Sequence, residues 1–290
     1  MEWSLHIAGA SELSRDPEFP AKMARVFGPA QFTRIAYGTE FCENLLPTVD
    51  ALRDIVAGGR PLTFLTPYVS DKGIAQLRRL LPLLAASNHS VKVVFNDWGV
   101  LRLLRAEFPE LTPVQGRLLN KSLRDPRVTT IYAETSGNAP ESALRVLQRS
   151  NLDNTTYLAV LERYGVRSVE LDNLPQGTDL GFTSRGIRVS VYLPFGFIST
   201  SRVCMAAGLH YRAPEKFQPG APCRHECQTH QLEYTYTNSP FQNRDQTFLL
   251  KGNTYFYRHS GPMLESLAAE ASHGRVARLV YQPRLPMYFG

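Results

Sequence analysis

The sequence predicts an α/β fold of the TIM-barrel type: a closed or partly closed parallel barrel with outer helices and a strand-rich C-terminal part. Three observations carry this. Short apolar strands alternate with amphipathic helices, the pattern of a parallel sheet with helices outside it. At least six such strands are present. No G-x-G-x-x-G segment marks a doubly wound dinucleotide fold.

The elements follow in order. Trp3–Gly9 and Arg34–Gly38 read as strands. The next stretch, LLPTVDALRDIVAGG, places Leu46, Val49, Leu52 and Val56 on one helical face, with Gly58 ending the helix. LTFLTPYVS is a strand running into a loop. A helix capped by Asp71 follows, with Ile74, Leu77, Leu80, Leu81 and Leu84 at helical spacing. Val91–Phe95 is a strand ending at Asn96 and Asp97, before a helix over Val100–Phe108. LDNTTYLAVLERYG reads as a helix closed by Gly165. VRSVELDN is a strand, and IRVSVYLPFGFISTSRVC holds one or two more. QLEYTYT and a hairpin about Lys251, Gly252 and Asn253 make the second half strand-rich. A helix at Pro262–Ala271 and a strand at Val276–Gln282 close the chain. The expectation is one domain over residues 1–290, with a cysteine-containing loop at 204–230.

The 290 residues suffice for a full core without staples. With 43% hydrophobic and 20% charged residues the composition is that of a globular protein. No apolar run is long enough to span a bilayer, and the N-terminus lacks the basic and apolar regions of a signal peptide. A cytoplasmic location is expected. The net charge of +6 is a mild basic excess that demonstrates no acidic partner.

Several chemistries lack their motif. The chain has no phosphate loop and no nucleophile elbow. His225 and His230 stand five positions apart, so they do not share a helix face as zinc-protease histidines do. Cys223 and Cys227 have radical-SAM spacing, but His230 stands where that loop needs a cysteine.

The four cysteines are Cys42, Cys204, Cys223 and Cys227. A reducing compartment disfavours disulfides, leaving reduced thiols or metal ligands. Cys42 and Cys204 each follow a strand, and in a barrel all strand C-termini share one face. The Cys223–Cys227 loop could cap that face, with backbone N–H groups pointing at sulfur. A four-thiolate iron–sulfur cluster is one occupant of such a shell. Zinc held by thiolates, with or without His210, His225 or His230, is another. Four unrelated cysteines is the third reading. The barrel also places Asn96, Asp97, Glu170, Asp172 and Asn173 at strand C-termini, as pocket candidates or as loop caps.

Residue order adds a resemblance. Cys42 after an early strand, FNDWG (Phe95–Gly99), QGRLLNK (Gln115–Lys121), VELDNLPQG, VYLPFGFISTSRVC, the Cys-x3-Cys pair and LLKGNTYFY together resemble the U-32 peptidase (collagenase-like) family. The resemblance is to its short single-domain branch of ubiquinone-biosynthesis accessory proteins, and it covers nearly the whole chain. It implies a barrel related to the TIM fold and a [4Fe-4S] cluster on Cys42, Cys204, Cys223 and Cys227. It further implies oxygen-independent hydroxylation of a quinone precursor or an RNA base. Prephenate is implied as a hydroxyl donor, and a second U-32 family protein as partner. In that setting Asn96, Asp97, Asn120, Glu170, Asp172 and Asn173 are expected to line the pocket, with Arg117 or Lys121 pairing with a substrate carboxylate. Glu43 and Asn44 depart from the branch, which is basic there. The alternatives are a zinc-stabilised binding protein without redox chemistry, and a metal-independent peptidase suggested by the family name alone.

Overall fold

A computed structural model describes residues 1–13, 19–125, 141–217, 222–234 and 248–287. In chain order the strands are β1 (Glu2–His6), β2 (Phe32–Gly38), β3 (Leu62–Leu65), β4 (Val91–Phe95), β5 (Thr112–Gln115), β6 (Ser168–Asp172), β7 (Arg188–Leu193), β8 (Phe195–Thr200), β9 (Leu232–Tyr234), β10 (Phe248–Lys251), β11 (Thr254–Arg258) and β12 (Arg278–Tyr281). The helices are α1 (Ala21–Phe27), α2 (Val49–Ala57), α3 (Asp71–Ala85), α4 (Trp98–Glu107), α5 (Glu141–Leu147), α6 (Thr155–Arg163) and α7 (Gly261–Ser272).

Eight strands close a barrel in the order β1-β12-β7-β6-β5-β4-β3-β2. The pairs are parallel throughout, from Glu2 against Arg278 on one side of β1 to Ile35 against Leu62 and Gln115 against Val169 farther round. The barrel is therefore fully closed. The remaining strands form an antiparallel sheet in the order β8-β11-β10-β9.

Strand residues alternate between two faces, and this splits the core into two shells. Trp3, Leu5, Ile35, Leu62, Phe64, Val93, Phe95, Val169, Leu171, Val189, Val191 and Leu279 face outward, where they pack with helix residues such as Leu52, Leu77, Leu104, Leu161 and Leu264. The intervening Ala36, Leu65, Val94, Val114, Tyr192 and Val280 fill the interior as one apolar layer. On the N-terminal side of that layer the inward positions turn polar, a feature taken up below.

Boundaries differ from the sequence reading where caps decide them. α2 begins at Val49 because Thr48 accepts a hydrogen bond from the Ala51 N–H at 3.2 Å. Asp71 does not cap α3: Ser70 precedes it, and Glu43 accepts from the Ser70 N–H at 2.7 Å. That carboxylate sits at the positive end of α3, which explains an acid beside Cys42. α4 begins at Trp98, two residues early, with Asp97 accepting from the Gly99 N–H at 2.7 Å. The hairpin expected about residues 251–253 is present as β10–β11. The strand expected over residues 231–237 is described to Tyr234, and its remainder lies outside the described residues. Among the described residues, no helix is long and apolar enough to cross a membrane.

Candidate functional site

The four cysteines line one cavity of about 820 Å³ at the C-terminal mouth of the barrel. Three segments bring them there. β2 ends at Gly38, whose φ of 115° and close approach to β3 admit no side chain: a Cβ would stand 2.4 Å from the Leu65 carbonyl oxygen. The chain then turns through Glu40 and Phe41 to Cys42. β8 leads through Ser201 to Cys204. The third segment carries Cys223 and Cys227, with His225 between them in the left-handed region at φ 59°.

The turn of the β10–β11 hairpin joins these segments. The Asn253 side-chain amide donates to the carbonyl oxygens of Phe41 (2.7 Å) and Ser201 (2.5 Å). The Ala206 N–H donates to the Gly252 carbonyl at 3.2 Å. Gly252 has φ 61°, and a Cβ there would meet Cys227 Cβ at 3.3 Å and Met287 Cε at 2.6 Å. One tight turn thus fixes the neighbours of Cys42, Cys204 and Cys227. The sequence reading found the hairpin but not this role, which depends on contacts across 212 and 52 positions.

Each sulfur has an N–H donor. The Ala207 N–H reaches Cys204 Sγ, the His225 N–H reaches Cys223 Sγ, and the Gln228 side-chain amide reaches Cys227 Sγ, each at 3.4 Å. The backbone N–H of Asn44 serves Cys42. The expectation that backbone N–H groups of the Cys223–Cys227 loop point at sulfur is met at Cys223. Burial pushes the Cys42 thiol up to about 12 and also raises Cys204 and Cys227. Buried Lys251 stands electrostatically next to Cys227, and burial brings its ammonium down to about 8.

Four thiols on one cavity, each with a donor suited to a thiolate, match in kind the donor set of a cluster or a zinc ion. As placed, the side chains are not drawn onto one point. Among the described residues, no three His, Cys, Asp or Glu side chains form a group that could hold a metal. Two of the histidines have partners other than sulfur. His210 is exposed, with Nε2 3.9 Å from Glu226, and His230 bonds Thr229 through Nδ1 at 2.8 Å. His225 lines a smaller neighbouring cavity of about 230 Å³ with Cys223.

The expected substrate residues lie elsewhere: none of the eight lines the cysteine cavity. Arg117 shows this most clearly. It is fully buried, and its guanidinium donates to Glu40 (2.7 and 3.0 Å), to Asp172 (2.9 Å) and to the Phe195 carbonyl (3.4 Å). It also stacks on Tyr192, 3.9 Å from the ring centroid. The chain's own carboxylates occupy the cation that sequence reasoning reserved for a substrate. Burial opposes its charge, but Glu40 and Asp172 outweigh burial and hold the guanidinium protonated. Asp172 is likewise taken, by Arg117, Arg124 and the Phe197 N–H.

The others are mostly braces. Asn96 donates to the Thr66 carbonyl (2.8 Å) and accepts from the Leu118 N–H (3.0 Å). Asp97 caps α4 and accepts from the Val69 N–H. Asn173 holds the Met263 carbonyl at 2.9 Å. Lys121 places its ammonium on the Leu118 carbonyl at 3.0 Å. Glu170 accepts from the Tyr192 hydroxyl at 2.5 Å, and burial, then the charge of Glu40, raises its carboxyl to about 8. Asn120 Oδ1 and Glu170 Oε1 are buried with no hydrogen-bond partner among the described residues.

No family model matches the chain, and no curated protein is similar to it in sequence. Solved structures resemble it at low identity. One is a glycoside hydrolase family 18 N-acetylglucosaminidase from Paenibacillus barengoltzii, 8% identical over 97% of this chain and 94% of that one, with a TM-score of 0.36. Another is YKL-39, solved with chitooligosaccharides, 8% identical over 97% and 92% of the two chains, with a TM-score of 0.29.

Proposed function

We propose that this chain is an iron–sulfur protein of the U-32 peptidase type, acting in oxygen-independent hydroxylation. One observation supports it above the rest: four cysteines from three distant segments line one cavity, each sulfur with its own N–H donor. Such bonds stabilise thiolate over thiol and tune a bound cluster's potential. Cys42, Cys204, Cys223 and Cys227 would hold a [4Fe-4S] cluster, which when bound supplies electron transfer to the cavity. The chain's own part is to surround that cavity with a partly apolar wall, including Phe41, Tyr68 and Phe217. The substrate class in this reading is a quinone precursor or an RNA base, with prephenate as a candidate hydroxyl donor. The setting is cytoplasmic, alongside a second U-32 family protein.

Purification without oxygen tests the reading. A brown protein with about four irons per chain is expected, the content of one cubane cluster. A colourless, iron-free anaerobic preparation would overturn it. A second reading, structural zinc, draws on His225, which lines a small cavity with Cys223. Stoichiometric zinc after anaerobic expression with iron supplied, lost on His225→Ala, would favour zinc.

A further inference from the structure

The N-terminal mouth of the barrel, opposite the cysteines, gathers more cations than acids among the described residues. Inward positions there are Glu2, Ser4, Arg34, Thr63, Lys92, Arg188, Ser190 and Arg278, each alternating with an outward-facing neighbour. Arg34, Lys92, Arg188 and Arg278 lie close enough to perturb one another's ionisation. Two carboxyl groups share this interior. Glu2 is bridged by Arg34 at 3.0 Å and Arg278 at 2.7 Å. Glu170, level with Arg278 across β7, is fully buried, and burial disfavours its charged form. Among the described residues, four cations thus face two carboxyl groups, of which Glu2 alone is ion-paired with them.

The donors are not all used. Arg34 is: it bonds Glu2, the Leu62 and Ser90 carbonyls and the Ser90 hydroxyl. Lys92 and Arg188 have no ion-pair partner among the described residues, and Lys92 is half-buried at the opening. Deeper in, the Ser4 and Thr63 hydroxyls are buried, 1% exposed, and have no hydrogen-bond partner among the described residues. Both come from inward strand positions in this polar region: Ser4 pairs with Arg34 in register and Thr63 with Lys92. Buried hydroxyls without partners are costly, and so are clustered cations. A single guest relieves both.

We propose that the N-terminal mouth binds a small oxyanion of the phosphate or sulfate class, with Lys92, Arg188 and Arg278 supplying charge and Ser4 and Thr63 supplying hydroxyl donors. A tetrahedral dianion presents several acceptors at once, which suits donors converging from different strands. Arg188 is exposed at the rim, so a phosphate ester fits with its organic part toward solvent. The site is separated from the cysteine cavity by the apolar layer of Leu65, Val94 and Val280 and is independent of what the cysteines hold.

The test is calorimetric titration of the full chain with inorganic phosphate, methyl phosphate and sulfate, against chloride at equal ionic strength. Saturable binding is expected, with Lys92→Met weakening it at least tenfold, Arg188→Gln several-fold, and Lys22→Met on the exposed side of α1 not at all. Methyl phosphate binding as tightly as phosphate would identify the end of a larger molecule as the ligand. Phosphate alone binding would identify the free ion. Lys92→Met should also raise the unfolding temperature in anion-free buffer while abolishing the further rise with phosphate. No binding beyond chloride, or unchanged affinity in Lys92→Met and Arg188→Gln, would overturn the proposal.

Discussion

The side-chain amide of Asn253 donates to the Phe41 carbonyl at 2.7 Å, tying a hairpin turn to the residue before Cys42 across 212 positions. The same amide holds Ser201, on the approach to Cys204. Asn253→Ala leaves two carbonyls unpaired and is expected to cost about 1–3 kcal/mol. The larger effect is on the cysteines, since Cys42 and Cys204 lose a common anchor. We expect iron content after anaerobic purification to fall well below that of the unaltered chain while the circular dichroism stays native. Full iron in Asn253→Ala would show that the turn does not position the sulfurs.

Arg117 supplies the second prediction. Arg117→Met leaves Glu40 and Asp172 buried beside an apolar side chain, and breaking a buried network from one side costs roughly 3–5 kcal/mol. Neutralising the partners in the same protein, with Glu40→Gln and Asp172→Asn, should recover much of the loss. Urea unfolding of the single and triple variants measures both. If Arg117 instead serves a substrate carboxylate, the single variant would keep its stability and lose ligand binding.

Asn96 gives a related case. Its carboxamide joins the end of β3 to the turn before Asn120, and a Cβ on Gly116 would stand 2.2 Å from Asn96 Oδ1. Asn96→Ala and Gly116→Ala should each lower the unfolding midpoint, the first through a loss of about 1–3 kcal/mol in unfolding free energy. A midpoint unchanged in Asn96→Ala would count against the brace.

Much of the barrel is legible because strands such as Val91–Phe95 and Arg188–Leu193 carry their apolar and inward-facing residues at period two. β5 escapes that reading: Thr112–Gln115 is four residues long and contains Pro113. α1 is missed because it is only seven residues long: Met23, Val26 and Phe27 form one short apolar cluster at helical spacing, too brief for a sustained periodicity. Gathering the cysteines needs only the rule that strand C-termini share a face, so that part of the site is visible in residue order. The use of Arg117 is not, because Glu40 and Asp172 lie 77 and 55 positions away and nothing local marks them as its partners. Residue type alone reads a strand-end arginine as free for a ligand, and only packing decides otherwise.

The buried titratable groups predict how stability varies with pH. Glu170 rises from an ordinary 4.5 to about 8, chiefly through burial. Between these values the folded chain keeps a proton that the unfolded chain has lost. Stability therefore declines as pH rises through this window, by up to about 1.4 kcal/mol per pH unit for one proton. His6 and His259 act in the other direction: burial lowers both from 6.5 to about 3, so each stays neutral when folded and gains a proton when unfolded. Their contribution is complete above pH 6.5 and is lost as pH falls toward 3. Glu170→Gln should flatten the neutral-to-alkaline decline and leave the acid limb in place. Urea midpoints at half-unit steps from pH 5 to pH 8.5 measure the difference. Parallel curves for the two proteins above pH 6.5 would mean that Glu170 is ionised in the folded chain and that its Tyr192 bond is one to a carboxylate.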